Sequence, residues 1–201
     1  PALPLVSCLC LTYRRPPKDQ YLLEESIESF RRQTYPHKEL VIVNDCPGQI
    51  LAYDAPDVRV YNLPNRCNSV GEKRNLAVAL AKGELLAPWD DDDICLPWRL
   101  ELSVELLGDA DYYSPGMLWV GRSGQMQRQP IKYFAHVASV FTRSGFQAVG
   151  GYRAISFGED LRFDEDLRTY TSLSPYSDTN WQELPAGDLF YVYRAGSSGN
   201  H

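Results

Sequence analysis

Residues 84–93 constrain this chain more than any other stretch. Glu84-Leu-Leu-Ala-Pro-Trp89 reads as a short buried strand, and it breaks off into Asp90-Asp91-Asp92-Asp93. Four adjacent carboxylates repel one another, so placing them at the end of a buried strand costs stability unless a cation or a metal carried on phosphate sits there. Hard oxygen ligands of this kind suit Mg²⁺ or Mn²⁺, which keep waters and accept substrate phosphates as further ligands. A solvated acidic turn is the plainer alternative, and the strand running straight into the acids weighs against it. A calcium EF-hand loop fails: Asp90, Asp92 and Glu101 fall at positions one, three and twelve, but Ile94 stands where an oxygen ligand belongs and Cys95 replaces the turn glycine.

The rest of the N-terminal half alternates between strand and helix. Residues 4–12 form an apolar run rich in strand formers, and Arg14-Arg15-Pro16-Pro17 follow as a loop. From Tyr21 to Gln33, Leu23, Ile27 and Phe30 recur at helical spacing, with Glu24, Glu25 and Glu28 early and Arg31 and Arg32 late, as the helix dipole favours. Residues 39–44 predict a second buried strand ending at Asp45, and residues 58–63 a third. Residues 68–82 predict a helix stopped by Gly83, and Pro97 opens another with Leu100, Val104 and Leu107 apolar. This repetition specifies an α/β fold with a mostly parallel central sheet and helices on both faces. In such sheets ligands bind beyond the carboxyl ends of the strands, where Thr12-Tyr13, Asn44-Asp45 and Asp90 to Asp93 all fall.

After residue 110 the pattern changes to several short strands with glycine turns over 111–142, a short helix over 144–149, an acidic helix over 159–170 and a late strand over 189–194. With no repeat, low-complexity block or linker, one domain spanning 1–201 is expected, with a nucleotide-binding half (1–110) and an acceptor-binding half (111–201).

Three further constellations bear on chemistry. Asp45 at a strand end can accept from a ring N–H of a base, or serve as a turn residue. Gly158-Glu159-Asp160 and Asp164-Glu165-Asp166 each offer a general base, or a stabilising acidic helix start, and spacing does not choose between them. In Gly71-Glu72-Lys73-Arg74-Asn75, Lys73 or Arg74 at a helix start can meet a diphosphate, or be a solvated charged turn.

Charge and composition remove other classes. With 20 Lys+Arg against 26 Asp+Glu and no basic run, nucleic acid is not an expected partner. No stretch approaches the ~20 apolar residues of a membrane span. Five cysteines, Cys8, Cys10, Cys46, Cys67 and Cys95, are an odd count without a CxxC pair, which favours free thiols in a reducing compartment over a disulfide frame or zinc site. The chain starts at Pro1 without Met or a secretory signal, so excision from a larger protein stays open.

Taken in order, these stretches resemble glycosyltransferase family 2, the inverting nucleotide-sugar-dependent enzymes with a GT-A fold. The resemblance is carried by residues 4–15, Ser26 to Tyr35, Glu39 to Asp45, Lys73 to Ala77, Gly83 to Asp93, and Val149-Gly-Gly-Tyr152 before Gly158-Glu-Asp160. It implies that Thr12 and Tyr13 line the nucleobase pocket with Tyr13 stacking, that Asp45 binds the base (usually uracil), and that Arg74 lies near the diphosphate or ribose. It implies that Asp90 to Asp92 form the DXD-like motif, with Asp92 on a Mn²⁺ or Mg²⁺ ion and Asp91 nearer the ribose and sugar. Asp160, beside Glu159, matches the catalytic base, and a late His near the metal in some relatives points to His201. The implied partners are a UDP-sugar donor and a glycan, lipid-linked or other hydroxyl acceptor. The implied location is the cytoplasm, compatible with a peripheral place at the inner face of a membrane. Three departures stand out: Asn44 where an acid is frequent, four Asp that blur the metal register, and the second Glu165-Asp166 pair.

Two other functions compete. A sugar nucleotidyltransferase would carry a glycine-rich basic loop after the first strand, and Tyr13 to Pro17 contain no glycine. A degenerate domain that binds nucleotide or glycan without turnover is disfavoured by the intact acids at 90–93 and 159–160.

Overall fold

The computed structural model describes residues 2–14, 20–131, 136–178 and 189–195. Strand β1 (Val6–Thr12) lies between β2 (Lys38–Asn44) and β4 (Leu85–Pro88), and β3 (Val58–Asn62) extends the sheet beyond β2. All of these pairings are parallel, with Val6 opposite Lys38 and Leu85, and Leu40 opposite Val58. Two antiparallel strands, β9 (Val140–Thr142) and then β6 (Tyr112–Tyr113), complete a six-stranded sheet in the order β3-β2-β1-β4-β9-β6.

Strand alternation explains why both faces are covered. Val6, Cys8 and Cys10 of β1 and Leu40 and Ile42 of β2 point to one face, against Leu23, Ile27 and Phe30 of helix α1 (Gln20–Arg31) and Leu100 and Leu107 of α3 (Arg99–Leu107). Leu9, Leu11, Val41 and Val43 point to the other, against Ala77 and Val78 of α2 (Val70–Leu80) and Phe163 and Leu167 of α5 (Glu159–Tyr170). A strand buried on both sides cannot alternate with polar residues, which is why these segments read as continuous apolar runs. All five cysteines are free, four of them buried.

The second, four-stranded sheet has the order β5-β10-β7-β8. It joins β5 (Ile94–Cys95), just past the four Asp, to β10 (Tyr191–Arg194) and to the hairpin of β7 (Met117–Arg122) and β8 (Gln125–Pro130). The late strand expected over 189–194 therefore exists, but it belongs to this smaller sheet. A 3-10 turn (His136–Ala138) and helix α4 (Arg143–Ala148) lie between the hairpin and α5.

One boundary differs from expectation. Helix α2 ends at Leu80, with Ala81 already extended, so Gly83 does not stop it. Gly83 serves close approach instead: a Cβ there would lie 2.5 Å from Ser7 Oγ and 2.6 Å from the Leu5 carbonyl oxygen. At the other end Ser69 Oγ accepts from the Glu72 N–H at 3.2 Å, a side-chain cap that fixes where the helix begins.

Candidate active site

The carboxyl ends of β1, β2 and β4 bring the sequence candidates together. Thr12 closes β1, Asp45 follows β2 directly, and Asp90 lies two residues past β4. Helix α2 runs beside them and sends two consecutive basic side chains to different places. Lys73 Nζ is buried, donating to Asp45 Oδ1 at 2.6 Å and to the Thr12 carbonyl at 2.7 Å. It therefore braces the Asp45 side of the site. Of the two cations considered for a diphosphate, Lys73 is committed elsewhere. Asp45 Oδ2 also accepts from the Cys67 N–H at 3.1 Å, so two of the carboxylate's roughly four lone-pair sites remain for a ligand.

Around this brace lies a cavity of about 310 Å³, lined in part by Leu11, Asp45, Arg66, Cys67, Lys73 and Ser156. Tyr13 stands half-buried at the end of β1, and the Arg66 guanidinium lies 4.1 Å from its ring centre. Arg66 was absent from the sequence candidates; it sits in a loop, outside any motif.

Arg74 points the other way. Its Nε donates to Glu159 Oε1 at 3.1 Å, and the two side chains are only 12% and 7% exposed. Burial alone would lower the guanidinium's pKa, but Tyr152, Asp90 and Glu159 together raise it. Arg74 thus stands between the acidic loop after β4 and the first turn of α5. Tyr152 is the hub of this region. Burial pushes its phenol up, Arg74 partly offsets that, and Glu159, Asp160 and Asp90 push it further. Those three acids consequently lie within electrostatic reach of one phenol. The Tyr152 hydroxyl lies 3.0 Å from Nε2 of the buried His136, whose pKa is lowered by burial and then by the charges of Arg74 and Arg99. A buried imidazole beside two cations stays neutral. Tyr152 closes a stretch that carries the family resemblance, but neither it nor His136 was given a role from the sequence.

The acidic loop divides its work. Asp93 Oδ2 accepts from Tyr191 Oη at 2.7 Å and Asp93 Oδ1 from the Arg194 N–H at 2.8 Å, so Asp93 faces into the fold. Burial and then the charge of Asp90 push its carboxyl up to about 8, against the pull of those two donors. Asp91 and Asp92 are also buried, and the Asp90 carbonyl accepts from Ser26 Oγ at 2.8 Å. Among the described residues no group of three or more His, Cys, Asp and Glu forms a ready-made cation site. The donor set still fits Mg²⁺ or Mn²⁺, which bind through one or two carboxylates and complete their shell with phosphate oxygens and water. His201 lies outside the described residues.

Asp160 occupies the first turn of α5, half-buried, with Oδ1 accepting from the Leu161 N–H at 2.8 Å. The competing acids are already paired. Asp164 accepts from Arg168 Nε at 2.6 Å and from the Tyr112 hydroxyl, Glu165 from Arg162 at 2.8 Å, and Asp166 from Arg153 at 3.1 Å. Asp160 makes no ion pair among the described residues.

Residues 8–167 match the family model described as "Glycosyl transferase family 2". The chain belongs to glycosyltransferase family 2. It is 34% identical over 142 residues to an uncharacterized glycosyltransferase of Methanocaldococcus jannaschii, covering 65% of this chain and 48% of that protein. It is 36% identical over 153 residues to the putative colanic acid biosynthesis glycosyl transferase WcaA of Escherichia coli K12, covering 71% of this chain and 52% of that protein. The chain thus spans about half the length of these relatives. Among solved structures, Staphylococcus aureus TarS 1–349 in complex with UDP superposes with a TM-score of 0.71 at 17% identity, over 94% of this chain and 60% of that one. The mannosyltransferase PcManGT of Pyrobaculum calidifontis, in complex with GDP-Man and Mn²⁺, gives 0.67 at 17% identity, over 98% and 58%. At such identity the likeness speaks for the fold, which is the GT-A fold of this family. Among the described residues no helix is long and apolar enough to cross a membrane.

Proposed function

We propose that this chain carries the catalytic domain of a glycosyltransferase that moves a sugar from a nucleoside-diphosphate donor, UDP before others, to an acceptor hydroxyl with inversion. The observation that carries this reading is the convergence on α2: Lys73 reaches Asp45 and Thr12, while Arg74 reaches Glu159 under the charge of Asp90. One helix thereby ties a base-sized cavity, an acidic loop and an acidic helix start into one site. The solved relatives bound to UDP or to GDP-Man support a nucleotide-sugar donor.

The chain's own residues then have distinct tasks. The base enters the cavity beside Tyr13, with a ring N–H donating to Asp45, which Lys73 and the Cys67 N–H hold in place. Arg74, fixed by Glu159, faces the donor's ribose and phosphates. Asp92 is the side chain that would hold Mg²⁺ or Mn²⁺, with Asp90 and Asp91 toward the donor's ribose and sugar. Such an ion, when bound, supplies positive charge against the leaving diphosphate. Asp160 takes the proton of the acceptor hydroxyl as its oxygen attacks the anomeric carbon from the face opposite the leaving group. A single displacement inverts that centre. Asp160 suits the task because its rivals are occupied by arginines. The site lies in residues 12–160, and the single-domain organisation over 1–201 is part of this proposal.

The test is thermal unfolding with a panel of nucleoside diphosphates, each with and without Mn²⁺. A ligand at ~100 times its dissociation constant adds about 2.7 kcal/mol to the native state. The expected result is a rise with UDP that needs Mn²⁺ and is lost in Asp92→Ala. A rise with a different nucleotide moves the donor, and no rise with any of them overturns the reading.

A further inference from the structure

A second cavity lies elsewhere in the molecule. About 570 Å³ lies on one face of the second sheet, lined chiefly by Gln125, Gln127, Gln129, Arg122, Val120 and Tyr193. The strand periodicity explains the lining. Gln125, Gln127 and Gln129 alternate along β8, so their side chains leave the same face. The register puts Gln127 opposite Val120 and Tyr193 beside Val120, so amide, aliphatic group and aromatic ring form one row across three strands. Gln125 lies opposite Arg122 in the next row, and Gln129 opposite Leu118 in the row before.

The same face leads back to the acidic loop. Tyr191 precedes Tyr193 by two residues on β10 and so shares its face, and the Tyr191 hydroxyl donates to Asp93 at 2.7 Å and reaches Asp90 at 3.4 Å. The Gln129 end of the ladder therefore points toward the acidic loop, with the buried Leu118 and Tyr191 packed between them. From Gln125 to Gln129 it extends about 14 Å, four strand residues.

The chemistry of this face is specific. Every residue of β8 is exposed, and among the described residues none of the three carboxamides makes a hydrogen bond. Each offers an N–H donor pair and a carbonyl acceptor side by side, a match for neighbouring hydroxyls that both give and accept. Tyr193 adds an amphipathic ring and Arg122 one positive charge. A second copy of the chain would pair with the backbone edge of β8, whereas the carboxamides project from the sheet face.

We propose that this face binds a linear oligosaccharide acceptor, several rings long, lying along β8 with its reactive end toward the acidic loop. The inference rests on the transferase reading and names its acceptor class. The alternating glutamines would grip successive rings, and Tyr193 would pack against one of them.

The experiment measures transfer from the UDP-sugar to linear oligosaccharides of one to six rings, using glucan, chitin-type and uronic-acid series. The wild type is compared with the triple variant Gln125→Ala, Gln127→Ala, Gln129→Ala, and with Gln127→Trp, which fills the groove by one exposed change. In the wild type the acceptor KM should fall as the acceptor lengthens to about three rings. The variants should raise it roughly tenfold for long acceptors, as expected for several lost hydrogen bonds. The single-ring acceptor, acceptor-independent release of UDP and the UDP thermal shift should stay within twofold of wild type. Equal effects at every length, no effect, a changed oligomeric state, or a wild type that turns over donor but uses none of the series overturns the acceptor proposal alone. Absence of any nucleotide-induced thermal shift removes the transferase reading beneath it.

Discussion

Asn75 and Tyr152 hold each other by two hydrogen bonds: Asn75 Nδ2 donates to the Tyr152 carbonyl at 2.8 Å, and the Tyr152 N–H donates to Asn75 Oδ1 at 2.9 Å. A side chain of α2 thus completes the backbone of the segment that leads into α5. The two halves of the site are fixed to one another through it. Asn75→Ala leaves a backbone donor and acceptor unmet and should cost about 1–3 kcal/mol. Asn75→Asp keeps the acceptor and loses the donor, and should fall between. Urea unfolding checks the order; an alanine variant as stable as wild type would show that the clasp is replaced by water.

Gly71 makes the same junction sterically. Its N–H donates to the Ile155 carbonyl at 3.0 Å, and a Cβ at this position would sit 1.8 Å from the Arg153 carbonyl oxygen. Backbone oxygen does not give way as a flexible side chain does, so Gly71→Ala must push residues 153–155 off the helix. Overpacking of this kind costs about 1–3 kcal/mol. Transfer should suffer more than stability, because displacement by about 1 Å near the reacting groups costs on the order of 10²-fold. Comparing kcat with the urea midpoint separates the two. A fully active Gly71→Ala enzyme would mean that the 153–155 segment does not position Glu159 and Asp160.

Arg74 and Glu159 are the buried charges that cross the junction, 3.1 Å apart. Removing one partner strands the other, so Arg74→Ala should destabilise by about 3–5 kcal/mol. The double variant Arg74→Met with Glu159→Leu should recover most of that while transfer stays lost. A double-mutant cycle measured by urea unfolding should then give a coupling at or above the upper end of the roughly 0.5–3 kcal/mol found for contacting residues. Zero coupling would mean that water, and not Glu159, holds Arg74.

The sheet was legible because its strands are short apolar runs that end in polar residues: the runs over 4–12, 39–44 and 84–89 overlie the observed Val6–Thr12, Lys38–Asn44 and Leu85–Pro88. The site's acids were legible for the same reason, since Asp45 and Asp90 stand where runs stop. What spacing could not show was direction. Lys73 and Arg74 are neighbours on one helix, about 100° apart, and only the packed helix decides which meets Asp45 and which meets Glu159. Spacing also gave no means to rank Asp160 against Asp164 and Asp166; the arginines that occupy the latter two come from four and thirteen residues away. Tyr152 closes the Val149-Gly-Gly-Tyr stretch, but that spacing says nothing of its role, and His136 and Tyr191 carry no motif; all three roles arise from burial beside groups distant in sequence.

Glu39 provides the pH signature of the fold. Burial alone would raise its carboxyl, but hydrogen bonds from Ser7 Oγ at 2.6 Å and the Lys82 N–H at 2.7 Å, with the charge of Arg59, hold it below the ordinary range. A depressed carboxyl contributes fully above its unfolded value, about 4.3, and the contribution is lost as pH falls through the folded value. Glu39→Gln should therefore cost roughly 1.5–3 kcal/mol at pH 7, the worth of a hydrogen bond to a charged group, and progressively less below pH 4. Urea unfolding at both pH values tests this. A penalty that stays constant down to pH 3 would assign the loss to packing and not to charge.

Asp160 is set apart from its neighbours by what it does not bind. Asp164 and Asp166 each accept from an arginine, while Asp160 accepts from the Leu161 N–H and makes no ion pair among the described residues. A base that must take a proton from an incoming hydroxyl cannot also neutralise a fixed guanidinium at little cost. Asp160→Asn should leave the UDP-induced thermal shift intact and lower kcat by about 10²–10⁴, the usual worth of general-base help. Asp164→Asn removes the partner of Arg168 and Tyr112, so it should lower the unfolding temperature while keeping substantial transfer in the cold. Parallel measurement of kcat and thermal unfolding on the two variants distinguishes base from brace. If Asp160→Asn transfers sugar at the wild-type rate and a stably folded Asp164→Asn does not, the roles of the two carboxylates are reversed.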